Sequence, residues 1–153
     1  MKFSTQVHGN YLDIIDQFDR SLFEALAPSF VPIKILNFTG SQTGDQVHLQ
    51  FGGPINTDWI SRITDHGISE EQAYFVDEGV KLPFPLKSWH HQHIVQKISD
   101  SQSLIMDVID YKAQNIFLSA IIYPVLYMGF YQRASIYRKY FQKSPDKLAK
   151  RSS

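Results

Sequence analysis

The sequence contains no cysteine, which excludes a disulfide framework, a thiolate zinc site, a cysteine nucleophile and an iron–sulfur cluster. It has no net charge, and so no overall excess of basic residues to favour nucleic acid. The uncharged run Ile116–Tyr131 is shorter than the about 20 apolar residues a membrane-spanning helix needs and is interrupted by Pro124 and Gly129. The first residues, Met1 to Gln6, lack the apolar stretch of a secretory signal, so the expected compartment is the cytoplasm. Low complexity and internal repeats are also missing. What remains is a chain of 153 residues with 43% hydrophobic side chains, enough for one core without staples. The excess is in rings. Eleven Phe, eight Tyr and two Trp are more aromatic surface than packing a domain of this size requires, so part of it is expected to line a pocket.

Zero net charge hides an asymmetry. Residues 1–110 hold 7 Lys/Arg against 14 Asp/Glu, whereas residues 111–153 hold 8 against 1. Arg133, Arg138, Lys139, Lys143, Lys147, Lys150 and Arg151 fall near the end of a helical pattern, where cations complement the helix dipole and solvate a tail. An anionic membrane surface or an acidic partner is the alternative use of that tail. The expected organisation is a single domain over 1–143 followed by a basic tail, 144–153. Oligomeric state is not legible.

Period-two alternation predicts a strand over Lys2–His8, followed by a helix from Tyr11 to Phe18 capped by Asn10. Ser21-Leu22-Phe23-Glu24 has the form of a capping box for a second helix that Pro28 ends. Six strands are then predicted over 32–38, 45–51, 55–65, 70–78, 86–98 and 102–111, with connections too short for parallel crossovers. The turn 40–45 lacks the Gly-Lys-Ser/Thr ending of a phosphate loop. The last element, 114–142, reads as a buried helix kinked or restarted at Pro124.

Chemistry concentrates in Trp89-His90-His91-Gln92-His93. On a strand, Trp89, His91 and His93 share one face and His90 and Gln92 the other. Two imidazoles on one face could chelate a metal with a third ligand from Asp77, Asp107, His48 or His66. The cupin pattern fails, because Lys97 stands where a Glu is needed and no His follows residue 93. The preferred reading is a polar network in which Asp77 and Asp107 on adjacent strands accept hydrogen bonds from His91 and His93. The same four residues are the candidates for general acid–base work, though neither Ser88 nor Ser103 sits on a nucleophile elbow.

These motifs also carry a resemblance. Phe75-Val76-Asp77-Glu78, Pro83-Phe84, Trp89-x-His91-x-His93, Asp107-Val108-Ile109-Asp110-Tyr111 and Phe130-x-x-Arg133 resemble the bacterial SRPBCC superfamily, which includes START domains, polyketide cyclases and the birch pollen allergen. The closest pattern is that of the cell-division-inhibitor-like or polyketide-cyclase-like subgroup. The chain departs from it at Gly79, at Leu82 and in the four residues between Phe84 and Trp89. The resemblance implies an α+β helix-grip fold, with a seven-stranded curved antiparallel sheet wrapped around a long C-terminal helix and two short helices after strand 1. It also implies a hydrophobic cavity.

The expected function is to bind an apolar small molecule, a lipid, sterol or aromatic polyketide-like compound, between sheet and helix. The expected ligand-binding residues are Phe51, Trp59, Phe75, Trp89, His91, His93, Tyr111, Leu118, Ile122 and Phe130. A cyclase or dehydratase using a His–Asp pair is the second reading, and a cochaperone-like interaction domain the third. No cofactor, no metal and no nucleic-acid partner is implied.

Overall fold

The computed structural model describes residues 1–54 and 56–142; the expected tail, 144–153, lies outside the described residues. The chain runs β1 (Lys2–His8), α1 (Tyr11–Ile15), α2 (Arg20–Leu26), β2 (Ile33–Phe38), β3 (Gln46–Phe51), β4 (Thr57–Ile68), β5 (Gln72–Lys81), β6 (Leu86–Ser99), β7 (Gln102–Ala113), α3 (Ile116–Tyr131) and α4 (Arg133–Gln142). The seven strands form one antiparallel sheet in the order β1-β7-β6-β5-β4-β3-β2. Strands β2 to β7 are therefore a meander, and β1 returns to pair with β7. Two register shifts between β4 and β5, at Ile60/Ser61 and Ile63/Asp65, place one extra residue on β5 and one on β4. Such bulges bend a sheet and increase its twist, which gives this one its curl.

Helix starts follow side-chain caps. Asn10 Oδ1 accepts from the Leu12 amide at 2.9 Å, as the sequence predicts. The second helix differs from the expectation: it begins at Arg20 and is capped by Asp19, whose Oδ1 accepts from the Leu22 amide at 3.0 Å. Asp19 pre-empts Ser21 because its carboxylate reaches the third amide onward, and Arg20 then pairs with Glu24 at 2.9 Å one turn later.

The C-terminal helical segment corrects the sequence reading twice. Its break falls at Gln132, not at Pro124, which sits inside α3. Proline removes the hydrogen bond to the carbonyl four residues back, here that of Ala120, which is on an exposed residue where water can take it. Nor is α3 buried. Phe117 is 77% exposed and Ile116, Ile121, Val125, Met128 and Tyr131 are also exposed; among its residues only Phe130 is buried. The helix is apolar on every side, so its composition says nothing about which side faces the sheet.

The interior has two parts. One core joins Tyr11, Ile14, Phe18 and Leu22 of the helical pair to Phe75, Val95 and Ile105 of the sheet and to Tyr137 and Phe141 of α4. A smaller one joins Trp89, Ile109 and Phe130. Among the described residues no helix is long and apolar enough to cross a membrane.

Candidate functional site

The alternation of β6 turns Trp89, His91 and His93 inward and leaves His90 exposed. The register brings Asp77 of β5 opposite His91 and Asp107 of β7 opposite His93. All four are buried. Each imidazole then reaches both carboxylates, one directly across the strands and one on the diagonal, where long side chains still meet. His91 Nε2 donates to Asp107 Oδ1 at 2.8 Å, and its Nδ1 lies 3.2 Å from Asp77 Oδ2. His93 Nε2 donates to Asp77 Oδ2 at 3.3 Å, and its Nδ1 lies 3.3 Å from Asp107 Oδ1.

Three further side chains close this square. Trp89 Nε1 donates to Asp77 Oδ1 at 2.9 Å. From α4, the Tyr137 hydroxyl donates to Asp107 Oδ2 at 3.3 Å and Arg133 Nη1 stands 3.6 Å from Asp107 Oδ1. The rings wedge the cluster between the two cores: Phe75 stacks on His93 at 4.3 Å, and Phe130 meets His91 edge-on at 5.1 Å.

The electrostatics follow from this enclosure. Burial by itself would raise both carboxyl groups, but hydrogen bonds from His91 and His93 outweigh it and hold Asp77 and Asp107 well below the ordinary carboxylate range, with the Arg133 charge assisting at Asp107. Burial disfavours the His91 imidazolium, yet Asp107 and Asp77 overcome it and raise the ring above its ordinary value. Burial, then the Asp107 charge, pushes the Tyr137 phenol well above its usual range. Both carboxylates thus favour the protonated form of His91, a group able to hold or exchange a proton beside a cavity.

Asp77, His91 and His93 offer ligand atoms within 4.8 Å of one another. The same atoms already bond each other, so a metal ion would have to replace imidazole–carboxylate hydrogen bonds. The other considered ligands lie elsewhere: His48 is 3.4 Å from Asp58, and His66 Nδ1 accepts from the Thr43 amide.

Asp77, His91 and His93 of the cluster form the polar floor of a cavity of about 400 Å³, within the range of small-molecule sites. Phe51, Trp59, Trp89, Ile122 and Phe130 line it together with His91 and His93. Its mouth is marked by Phe30, Phe84 and Val125, which line the cavity and are exposed. Three of the expected ligand-binding residues stand elsewhere. Phe75 has the right parity but lies behind His93 in the larger core. Tyr111 packs on the smaller core and donates to the Ser119 carbonyl at 2.9 Å. Leu118 is half-buried one turn short of the helical residues that face the cavity.

Arg133 and Tyr137 are the functional candidates that sequence reasoning missed. The sequence pattern places Arg133 among the solvated cations of the helix end; its side chain instead turns inward, 17% exposed, and lines the cavity. The available signal is the spacing of Arg133 and Tyr137, which four residues apart share one face of α4.

A curled seven-stranded antiparallel sheet gripping a C-terminal helical segment, with two short helices after the first strand, is the helix-grip fold of the SRPBCC, or birch-pollen-allergen-like, proteins. Norcoclaurine synthase from Thalictrum flavum, solved in complex with dopamine and hydroxybenzaldehyde, is similar with a TM-score of 0.66 over 96% of this chain and 88% of that one, at 12% identity. An uncharacterized protein from Bacillus thuringiensis gives 0.63 over 94% and 98% at 16% identity, and the protein XoxI from Bacillus cereus 0.62 over 94% and 95% at 17%. Identities this low establish the fold alone. No protein-family model and no curated protein matches the chain.

Proposed function

We propose that the chain binds a hydrophobic small molecule between sheet and α3, with its polar end on the His–Asp cluster. The observation that carries this reading is a cavity with an apolar wall, an exposed aromatic mouth and a buried charged floor. A filled core would have no reason to set Asp77, His91 and His93 against an open space. Membership of the bacterial cell-division-inhibitor-like subgroup and a cytoplasmic location belong to the same proposal. Native mass spectrometry of the purified protein tests it by revealing a co-purified lipid or aromatic molecule. Titration of fatty acids, sterols and aromatic polyketides should also change the fluorescence of Trp59 and Trp89, since both line the cavity. A silent response from both to every compound refutes a usable cavity.

His91, held between two carboxylates, favours a second reading, proton transfer to or from a bound substrate in a cyclisation, dehydration or isomerisation. Norcoclaurine synthase, a structure of similar fold, is recorded with small aromatic ligands. The two readings separate on His91→Gln. A carrier loses little affinity, about 0.5–1.5 kcal/mol for one orienting hydrogen bond; an enzyme keeps its affinity and slows by about 100-fold or more.

A further inference from the structure

The cavity wall contains one Arg, two of whose three nitrogen atoms the protein leaves without a partner. Arg133 Nε and Nη1 are enclosed and have no acceptor among the described residues. The nearest carboxylate oxygen, Asp107 Oδ1, is 3.6 Å from Nη1, beyond hydrogen-bond length, and it already accepts from His91. The guanidinium carbon sits 4.1 Å over the Phe130 ring, which holds the group against the cavity wall. The rest of the wall is largely apolar, with Trp89 and Leu126 among its residues. Burying a cation with unmet donors is costly unless something supplies acceptors.

Among the described residues that line the cavity, Arg133 is the only Lys or Arg, so it is the side chain placed to meet a negative charge there. A carboxylate is an acceptor-only group that a guanidinium fork matches with two parallel hydrogen bonds.

We infer that the ligand is an amphipathic acid, whose single carboxylate docks on Arg133 while its apolar body fills the space towards Trp59, Ile122 and the aromatic mouth. This rests on the small-molecule reading above and names the ligand's class. Arg133 is the residue that selects head-group charge, and the apolar wall supplies affinity common to any head group.

The test compares dodecanoic acid, dodecanol and dodecyltrimethylammonium, each titrated into wild type, Arg133→Met and Arg133→Lys while tryptophan fluorescence is followed. Wild type should bind the acid at least 10-fold more tightly than the alcohol, and the cation most weakly. Arg133→Met, which keeps an unbranched stem but removes the guanidinium, should bring acid and alcohol within about 3-fold of each other while leaving the alcohol's own affinity within about 3-fold of wild type. Arg133→Lys keeps the charge without the fork and should retain part of the preference, which provides an independent reading if the methionine variant fails to fold. Equal binding of acid and alcohol by wild type overturns the inference while leaving the cavity reading intact, as does a preference that survives in Arg133→Met. No binding of any of the three overturns both.

Discussion

Replacing Asp107 by Asn removes one negative charge from the cluster while keeping the shape of the side chain, so it isolates the electrostatics of the site. The carboxylate takes a 2.8 Å hydrogen bond from His91 and one of 3.3 Å from Tyr137, and His93 Nδ1 and Arg133 Nη1 stand 3.3 and 3.6 Å away. An amide can accept through one oxygen only, and its NH2 would face groups that are themselves donors. Breaking a buried ion pair by removing one partner costs about 3–5 kcal/mol; His91 can escape part of that by releasing its proton, so about 2–4 kcal/mol is expected. In a chain of this size each kcal/mol moves Tm by about 2–4 °C, so the melting temperature should fall by roughly 4–16 °C. The loss should depend on pH in a defined way. His91 has a raised folded pKa, so its share of the stability is complete below the unfolded value of about 6.5 and fades as pH rises through the folded value. Asp107 has a depressed folded pKa, so its share is present above about 3.9 and is lost as pH falls further. The penalty should therefore be largest between about pH 4 and 6.5 and shrink on either side. Thermal melts of wild type, Asp107→Asn and the exposed control Asp110→Asn across that range check it. A penalty below about 1 kcal/mol, or one that does not vary with pH, would refute a charged His91–Asp107 pair.

Three other substitutions probe the surrounding structure. Tyr137→Phe removes the hydroxyl that donates to Asp107 at 3.3 Å; denaturant unfolding should show a loss of about 1 kcal/mol, and no loss would mean the bond is absent in solution. Asn115→Ala deletes the cap of α3, whose Oδ1 accepts from the Leu118 amide at 3.0 Å, and should cost about 1 kcal/mol in the same assay. Ile121→Lys lies on the exposed side of α3 and should change stability by less than about 0.5 kcal/mol, whereas a loss above about 2 kcal/mol would show that this side is covered.

Legibility followed periodicity. On β6 an alternation of two separates Trp89, His91 and His93 from His90 and Gln92, and antiparallel pairing of short-looped strands brings Asp77 and Asp107 beside them. Side-chain period decides face, and face decides contact, so the His–Asp cluster could be read from residue order. The α3 segment has no such signal. With apolar residues on every side, its sequence cannot say which side meets the sheet, and the buried helix it suggests is largely exposed. Pro124 misleads for a different reason: the carbonyl it strands is on exposed Ala120, where water can take the lost bond, and the helix continues past it. Arg133 was obscured by its neighbours. Among seven basic residues near the helix end it looks like one more solvated cation, and only the fold shows that Phe130, Arg133 and Tyr137 point to the sheet. Phe75 shows the converse limit: parity places it on the inner face, but α1 and α2 cover that end of the sheet and turn it into core.

The central claim is that an apolar cavity binds its ligand by burying hydrocarbon. Its most direct measurement is the affinity of a series of straight-chain alcohols of increasing length, followed by the fluorescence of Trp59 and Trp89. Each methylene that enters the cavity contributes about 0.8 kcal/mol, so Kd should fall about fourfold per added carbon and level off once the cavity is full. A flat series, or one that never saturates, would contradict a cavity of defined size that binds through its apolar wall.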